Sequence, residues 1–303
     1  PKMGQDTKIE WTGSVRADGT LASGHTGNLW IGCTKVHEGC DNCYAESLSH
    51  RWGNDVWGAN KSRKAVKSVW SNFLTWQAHA AAAGEKHRVF VGSMMDIFEK
   101  SMPMIDHKGN EMSILTGALR DRFFNEIIPA CPDLDFLLLT KRPSNINKFI
   151  PDSWLENPPP NVMFGTSVSN QSTFDTLVPH LKKAKGRLFL SIEPQIGPIQ
   201  ATQKDLSGIA WVIHGGESGH GKRPFQLAWA ASMAKSCADA GVPYFFKQID
   251  KVRLIPPDMM IRQFPPFVNR VTHCDGNCGM NYCDENGCTE RKRVLADTAT
   301  LSY

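Results

Sequence analysis

The sequence lacks several features that would assign it to a specialised class of protein. No apolar run approaches the roughly 20 residues of a membrane-spanning helix, and residues 1–6 precede no apolar signal segment. Gly 25 and Pro 18 in 303 residues are too few and too aperiodic for a collagen-like or low-complexity chain, and no internal repeat is evident. With 41% hydrophobic residues, we expect a globular intracellular protein of the cytoplasm.

No charge of one sign dominates the chain. Lys and Arg number 34 against 30 Asp and Glu, which gives a formal net charge of +4. This mildly basic balance permits a polyanionic partner but does not require one.

Short apolar runs alternate with helical patterns through most of the chain. Each run is apolar on both alternating faces, as in strands covered on both sides, and the two patterns together predict parallel strands joined by crossover helices. A whole or partial barrel and a doubly wound sheet are the two arrangements to consider. The strand runs are 29–32, 88–92, 136–140, 162–165, 188–191, 210–213 and 244–246, and the helical segments are 62–83, 117–130, 172–184 and 225–240.

Polar residues follow the ends of these strand runs. The carboxyl ends of parallel strands form the active face in β/α proteins, so we expect these segments to share a pocket. They lie at 93–96, 140–143, 166–169, 192–194, 215–219 and 247–248. Beyond Lys247 the pattern breaks, and we expect a main domain over 1–249 and a Cys-rich extension over 250–303.

Three cysteines follow the first strand run within eleven residues. Cys33 and Cys40 are separated by six residues, and Cys40 and Cys43 by two. Clustered thiols in a chain without a signal segment indicate metal ligands rather than disulfides. A structural zinc site would need a fourth ligand, which His37 could supply, whereas a [4Fe–4S] cluster on three thiolates would keep one iron open. Two further cysteines, Cys131 and Cys237, stand alone and are expected to be small buried residues.

Several motifs in one order resemble the phage Gp37/Gp68 family. They lie between residues 5 and 249 and are Asp6-Thr7-Lys8-Ile9-Glu10-Trp11-Thr12, the three-cysteine loop through Glu46, Leu139-Thr140-Lys141-Arg142-Pro143, Ser191-Ile192-Glu193-Pro194, Gly215-Gly216-Glu217-Ser218-Gly219 and Phe245-Phe246-Lys247-Gln248. That family is similar to a divergent branch of the radical S-adenosylmethionine (SAM) enzymes.

The resemblance implies a partial (β/α)6 TIM-like barrel of radical SAM type, from a phage or its bacterial host. It also implies a [4Fe–4S] cluster on Cys33, Cys40 and Cys43, SAM on the fourth iron, and an electron donor of the flavodoxin or ferredoxin type. The three-cysteine loop departs from the usual radical SAM pattern, which has three residues rather than six between the first two cysteines.

Charge suggests which side chains could contact SAM. Asp96 could receive the methionyl ammonium, and Lys141 or Arg142 could pair with the carboxylate. The ribose hydroxyls could be held by Ser167, Ser191 and Glu193. Alternatively, Arg142 and Glu193 could form a structural ion pair across the barrel mouth. Two further residues, Glu217 and Lys247, are candidates for substrate contacts.

A second cluster of four cysteines lies near the end of the sequence. Cys274, Cys278, Cys283 and Cys288 fall within fifteen residues rich in Gly and Asn, which favour tight turns. Four thiolates suit either tetrahedral zinc or an auxiliary [4Fe–4S] cluster without an open iron. We expect a second metal site here, outside the region of resemblance.

The sequence says least about the substrate. The phage-type resemblance, the mildly basic balance and the run Arg291-Lys292-Arg293 point to nucleic acid. The resulting hypothesis is an isomerase or transferase that remodels a modified pyrimidine base in phage DNA, which would require a flipped base. The alternative is a zinc-stabilised nucleic-acid-binding protein without catalysis of its own.

Overall fold

A computed structural model describes residues 7–16, 18–22 and 24–268 of the chain. Within them the strands are β1 (Ser14–Val15), β2 (Leu21–Ala22), β3 (His25–Gly27), β4 (Trp30–Ile31), β5 (Arg63–Ala65), β6 (His87–Val91), β7 (Pro103–Ile105), β8 (Glu111–Leu115), β9 (Leu134–Thr140), β10 (Val162–Ser167), β11 (Arg187–Ile192), β12 (Ile209–Gly215) and β13 (Tyr244–Gln248).

Helices alternate with the later strands. The α-helices are α1 (Tyr44–Arg51), α2 (Val69–Ala83), α3 (Thr116–Arg122), α4 (Ile128–Ala130), α5 (Ile146–Phe149), α6 (Gln171–Leu181), α7 (Gln203–Leu206) and α8 (Leu227–Ala240). A π-helix over Phe123–Ile127 joins α3 to α4, and short 3-10 helices cover Glu10–Thr12, Glu38–Cys40, Pro143–Asn145, Asp152–Trp154 and Pro257–Met259. In the part of the chain described, none of these helices combines the length and the apolar character needed to cross a bilayer.

Seven strands form one parallel sheet in the order β13-β12-β11-β10-β9-β6-β3. The sheet curls into a half-barrel, with neighbouring strands parallel throughout. The predicted mixed α/β fold with a partial barrel is therefore confirmed at this level. A second sheet, in the order β4-β5-β7-β8, lies apart from the half-barrel, and β1 pairs with β2.

The two faces of the parallel sheet are covered differently. The α-helices pack on one face around Phe73, Trp76, Phe123 and Phe136. The other face carries side chains of alternate strand residues and is closed by Trp11 of the first 3-10 helix. This second cluster consists of Trp11, Phe90, Leu137, Met163, Phe189, Trp211, Ile213 and Phe245. Both faces being buried explains why the strands read as continuous apolar runs.

The prediction for the first parallel strand is wrong. Residues 29–32 were expected to form it, but the structure uses His25–Gly27 (β3), paired with β6, and places Trp30–Ile31 in the second sheet, antiparallel to β5. Leu29 and Trp30 are fully buried against the helical core. The apolar run 29–32 therefore predicted correctly that these residues are buried, but it did not predict correctly which sheet they join.

The predicted helix over 62–83 is also only partly confirmed. Its first residues form β5, Arg63–Ala65, and the helix begins at Val69. Strand geometry turns the Arg63 side chain into the interior, where a buried carboxylate receives it. As expected, α2 and α8 end at Gly84 and Gly241, both in the left-handed conformation.

The second cysteine cluster and the basic run that follows it lie outside the described residues. The proposed boundary at residue 249 stays a prediction, as does the Cys-rich extension as a metal-binding unit. Residues before position 269 do contact the main sheet. Phe264 packs against Trp211 and Phe245, and Arg262 bridges to Phe245 through the backbone.

Packing on the inner face of the sheet predicts that a substitution of Gly165 in β10 lowers stability. A Cβ there would lie 2.3 Å from ring atoms of the buried Phe189 on the neighbouring strand. Gly165→Ala should therefore lower the free energy of unfolding by about 1–3 kcal/mol through overpacking, measured by urea denaturation. Adding Phe189→Leu should make the Gly165→Ala substitution less costly than in the parent. Strictly additive effects of the two changes would contradict this packing.

Candidate functional site

A cavity of about 730 Å³ opens at the carboxyl ends of the parallel strands, which is within the range of about 300–1,000 Å³ for ligand sites. The register brings polar side chains to this level, since Ser167 of β10 lies opposite Ser191 of β11. The cavity walls include every residue that the sequence placed in the first metal site and at SAM, which are Cys33, Cys40, Cys43, Asp96, Lys141, Arg142, Ser167, Ser191 and Glu193, and also Glu217 and Lys247.

The three-cysteine loop runs over one wall of this cavity. All three thiols are free, with Cys40 buried and Cys33 and Cys43 half-buried. Cys43 is the N-cap residue directly before α1. Between them, a Cβ at Gly39 would lie 2.2 Å from the hydroxyl of Ser169, so only glycine lets the loop approach the strand end this closely.

A buried guanidinium anchors the start of this loop. Arg63 is 0% exposed and forms a two-pronged ion pair with Glu99, with N···O distances of 2.9 and 2.8 Å. Its Nη2 also donates to the Thr34 hydroxyl at 2.7 Å. The remaining donor, Nη1, bonds the backbone carbonyls of Val56, Gly58 and Lys61 at 2.8–3.1 Å. One side chain thus ties together the loop that carries Cys33, the segment before β5 and Glu99.

The carboxylate of Asp96 is saturated by hydrogen bonds. Its Oδ1 accepts from the Phe98 N–H at 3.0 Å and the Thr140 hydroxyl at 2.7 Å. Its Oδ2 accepts from the Lys141 N–H at 3.1 Å and from Arg142 Nη1 at 2.8 Å. A carboxylate offers about four acceptor sites, and all four are used. The Asp96 carboxylate is therefore the ion-pair partner of Arg142 and keeps no acceptor site free for the predicted methionyl ammonium.

Arg142 connects this carboxylate to the cysteine loop. Its Nη2 donates to the Thr34 carbonyl at 2.7 Å, and its Nη1 lies 3.8 Å from Cys33 Sγ. Burial alone would lower the pKa of Arg142, but Asp96 and Cys33 beside it raise that pKa above its ordinary value. The guanidinium therefore stays charged, next to the position where a thiolate would form.

Burial raises the pKa of the Cys33 thiol to about 12, with the charge of Asp96 acting in the same direction and that of Arg142 against it. Without a metal, this thiol keeps its proton at neutral pH. A metal that binds here must displace that proton.

Glu193 pairs with Lys247 and not with Arg142, whose partner is Asp96. Its Oε1 lies 3.0 Å from Lys247 Nζ, and its Oε2 lies 3.5 Å from the Ser191 hydroxyl. These three groups come from the ends of β11 and β13. They place a carboxylate, an ammonium and a hydroxyl together at one side of the cavity, where sugar hydroxyls could bind.

Glu217 joins the loop after β12 to the three-cysteine loop. Its carboxylate receives Arg223 at 2.6 Å through Nη2 and Asn42 Nδ2 at 2.9 Å. Arg223 Nη1 in turn donates to the carbonyl of Glu38 at 3.0 Å. The loop after β12 and the three-cysteine loop are therefore linked by hydrogen bonds that involve charged groups. Such hydrogen bonds are stronger than those between neutral groups.

The candidate metal ligands near this cavity are the thiols of Cys33, Cys40 and Cys43 and the ring of His37. Across the described ranges, no group of three or more His, Cys, Asp or Glu side chains is placed to hold one metal ion. His37, the alternative fourth zinc ligand, accepts the Gly39 N–H at Nδ1. Three thiols line one cavity wall, and the Arg142 guanidinium beside Cys33 is a charge that could balance a negatively charged [4Fe–4S] cluster held by these thiols.

Several residues that shape the site were not found from the sequence. Arg63 was assigned to a helix, and Glu99, 36 residues away, carried no signal. His214 could have been found, because it is a lone histidine directly after the apolar run 210–213. Its buried ring contacts the side-chain oxygen of Gln195 through Nε2 and lies 2.7 Å from the Tyr244 hydroxyl through Nδ1. These contacts fix the segment that follows Glu193.

Comparison with known proteins gives one family. A family model described as "Protein of unknown function (DUF5131)" matches residues 6–262. Searches of curated proteins and of solved structures give no match.

Removing Arg63 should be costly because Glu99 would be left buried and unpaired. Arg63→Met should lower the free energy of unfolding by about 3–5 kcal/mol, measured by urea denaturation. Arg63→Met with Glu99→Leu should cost less than Arg63→Met alone, because no buried charge then lacks a partner. Arg16→Met, which breaks an exposed ion pair with Glu85, is the matched control and should change stability little. Equal losses in the control and in Arg63→Met would contradict this account.

His214 should make the protein sensitive to acid. Burial lowers its pKa from 6.5 to about 3, so between these values the unfolded chain binds a proton that the folded chain does not. The stability that neutral His214 contributes is complete above pH 6.5 and is lost as the pH falls towards 3. Urea denaturation from pH 7 to 4 should show a shallower loss in His214→Asn than in the parent. Parallel curves for the two proteins would exclude His214 as a source of this dependence.

Proposed function

The chain belongs to the DUF5131 family, and from its cavity we propose that it is a radical SAM enzyme whose three-cysteine loop binds a [4Fe–4S] cluster. The observation that carries this proposal is the meeting of three free thiols, a cation beside Cys33 and several hydroxyl and carboxylate groups in one cavity at the carboxyl ends of a parallel half-barrel. The finer assignment of the fold, a (β/α)6-type partial barrel with a C-terminal metal site, is part of the same proposal.

When bound, such a cluster would supply the electron for reductive cleavage of SAM, the chemistry by which radical SAM enzymes remove hydrogen from a substrate and release methionine and 5′-deoxyadenosine. The chain's own groups bind and orient. Cys33, Cys40 and Cys43 serve as thiolate ligands. Arg142 lies close enough to Cys33 Sγ, at 3.8 Å, to stabilise negative charge on that sulfur.

The other polar side chains of the cavity position SAM and exclude water. Asp96 holds Arg142 and does not contact SAM itself. The Lys141 ammonium is available for the methionyl carboxylate. The hydroxyls of Ser167 and Ser191 and the carboxylate of Glu193 bind the ribose, and Glu193 keeps its Lys247 partner at 3.0 Å. Glu217, fixed by Arg223, holds the cavity wall in place.

The reaction class, isomerase or transferase, and a flavodoxin- or ferredoxin-type electron donor stay predictions, as does an auxiliary [4Fe–4S] cluster or zinc at the C-terminal cysteines. The non-catalytic alternative makes an opposite prediction. A zinc-stabilised nucleic-acid-binding protein would hold zinc and would not cleave SAM.

The test is SAM cleavage by protein prepared without oxygen. With a strong reductant, the parent chain should form 5′-deoxyadenosine, and Cys40→Ala should abolish this because a cluster ligand is lost. Cys237→Ala, which changes a buried cysteine on α8 outside the cavity, is the matched control and should retain cleavage. Formation of 5′-deoxyadenosine by Cys40→Ala at the parent rate, or a colourless parent protein containing only zinc, would refute the proposal.

A further inference from the structure

The mouth of the cavity carries a short exposed loop with an unusual backbone. We name residues 250–255 the mouth loop; Lys251 within it has a φ of +65°, which non-glycine residues rarely adopt. The Asp250 carboxylate holds the loop by accepting the N–H groups of Val252 at 2.9 Å and Arg253 at 2.8 Å. Residues held in such conformations cluster at ligand-binding sites.

This backbone directs apolar side chains into solvent at the cavity rim. Val252 is 76% and Leu254 91% exposed, and both line the mouth of the cavity. Tyr44, also on the cavity wall, is 53% exposed although its hydroxyl is fixed to the Ser93 carbonyl at 2.9 Å. A fixed exposed ring loses little conformational entropy when a planar group stacks on it.

Positive charge surrounds these apolar groups in excess. Lys222 and Arg253 share the carboxylate of Asp250, at 3.4 and 3.0 Å. Lys247 pairs with Glu193 at 3.0 Å, and Lys251 lines the same cavity. Two carboxylates therefore face four cations around the mouth loop.

One further lysine adds to this excess. Lys8 lines the same cavity and, like Lys251, takes part in none of the ion pairs formed among the described residues. The cavity lining therefore combines ammonium groups outside any ion pair with exposed apolar side chains and an aromatic ring.

We propose that the cavity mouth, formed by the mouth loop, Tyr44 and the unpaired lysines, binds a single-stranded or locally unpaired nucleic acid. The ammonium groups fit backbone phosphates, and the Tyr44 ring fits a base face. The exposed Val252 and Leu254 fit the gap between unstacked bases. This proposal rests on the proposed function and adds the class of substrate to it. A cavity of about 730 Å³ admits a base only after that base has left a duplex.

The experiment is fluorescence anisotropy of the full chain with a labelled 20-nucleotide single-stranded DNA, the same sequence as RNA and the duplex, over a series of KCl concentrations. The parent should bind single strands more tightly as salt falls. Lys251→Gln should weaken binding about five-fold at low salt, the effect of one contact ion pair in water. It should also flatten the slope of log affinity against log salt by about 0.7.

Substitutions of the aromatic and apolar residues should weaken binding without the change in salt dependence that is expected for Lys251→Gln. Tyr44→Leu should weaken binding about five-fold or more through lost stacking. Leu254→Ser should also weaken binding, and neither substitution should change the salt slope. The matched control is Lys183→Gln, which removes an exposed charge beyond the carboxyl end of α6 and should bind as the parent does. The DNA and RNA arms decide which nucleic acid is preferred.

The proposal is overturned if the parent shows no salt-dependent binding, or if Lys251→Gln, Tyr44→Leu and Leu254→Ser bind as tightly as Lys183→Gln. A dimer that Leu254→Ser abolishes without loss of nucleic acid binding would make a second copy of the chain the occupant, and would also overturn it. Cys40→Ala should still bind nucleic acid. A parent chain that binds nucleic acid but forms no 5′-deoxyadenosine would count against the proposed function alone, and a parent chain that cleaves SAM but does not bind nucleic acid would count against this surface alone.

Discussion

The buried ion pair between Arg63 and Glu99 is the interaction on which the site depends. Neither charge is accessible to water, and removing water from both is favourable only because every donor of the guanidinium finds an acceptor. Those acceptors belong to three separate segments, one of which begins the three-cysteine loop. The position of Cys33 relative to the half-barrel is thus set by one side chain from a different sheet.

A second layer of charge is built on this anchor. Arg142 reaches Asp96 at 2.8 Å, Glu99 at 3.6 Å and Cys33 Sγ at 3.8 Å, so the same carboxylates that fix the loop also fix a cation beside a thiol. On the opposite wall, Glu217 and Arg223 close the cavity against the same loop. The carboxylates deep in the cavity are thereby matched by cations, whereas the unmatched lysines lie towards its mouth.

The sequence predicted the assembly of the site well because the topology is simple. Strands β3, β6, β9, β10, β11, β12 and β13 follow their chain order across the sheet, so polar residues after successive apolar runs had to meet at one edge. The first strand could not be predicted in this way. His25–Gly27 is short and partly polar, and it is buried through the stacking of His25 on Trp76 and the close approach of Gly27 to Phe73. Arg63 could not be predicted either, because an arginine looks like a surface residue until its distant partner is known. For Asp96, charge alone suggested a ligand contact, and only the four donors around it indicate a positioning role.

The central claim is that the three-cysteine loop alone holds a cluster with an open iron. It is tested most directly by the iron and sulfide content and the electron paramagnetic resonance spectrum of oxygen-free protein carrying Cys274→Ser, Cys278→Ser, Cys283→Ser and Cys288→Ser. The account predicts about four iron and four sulfide per chain, and a spectrum of the reduced protein that changes when SAM is added. A protein without inorganic sulfide, or a cluster spectrum indifferent to SAM, would contradict it.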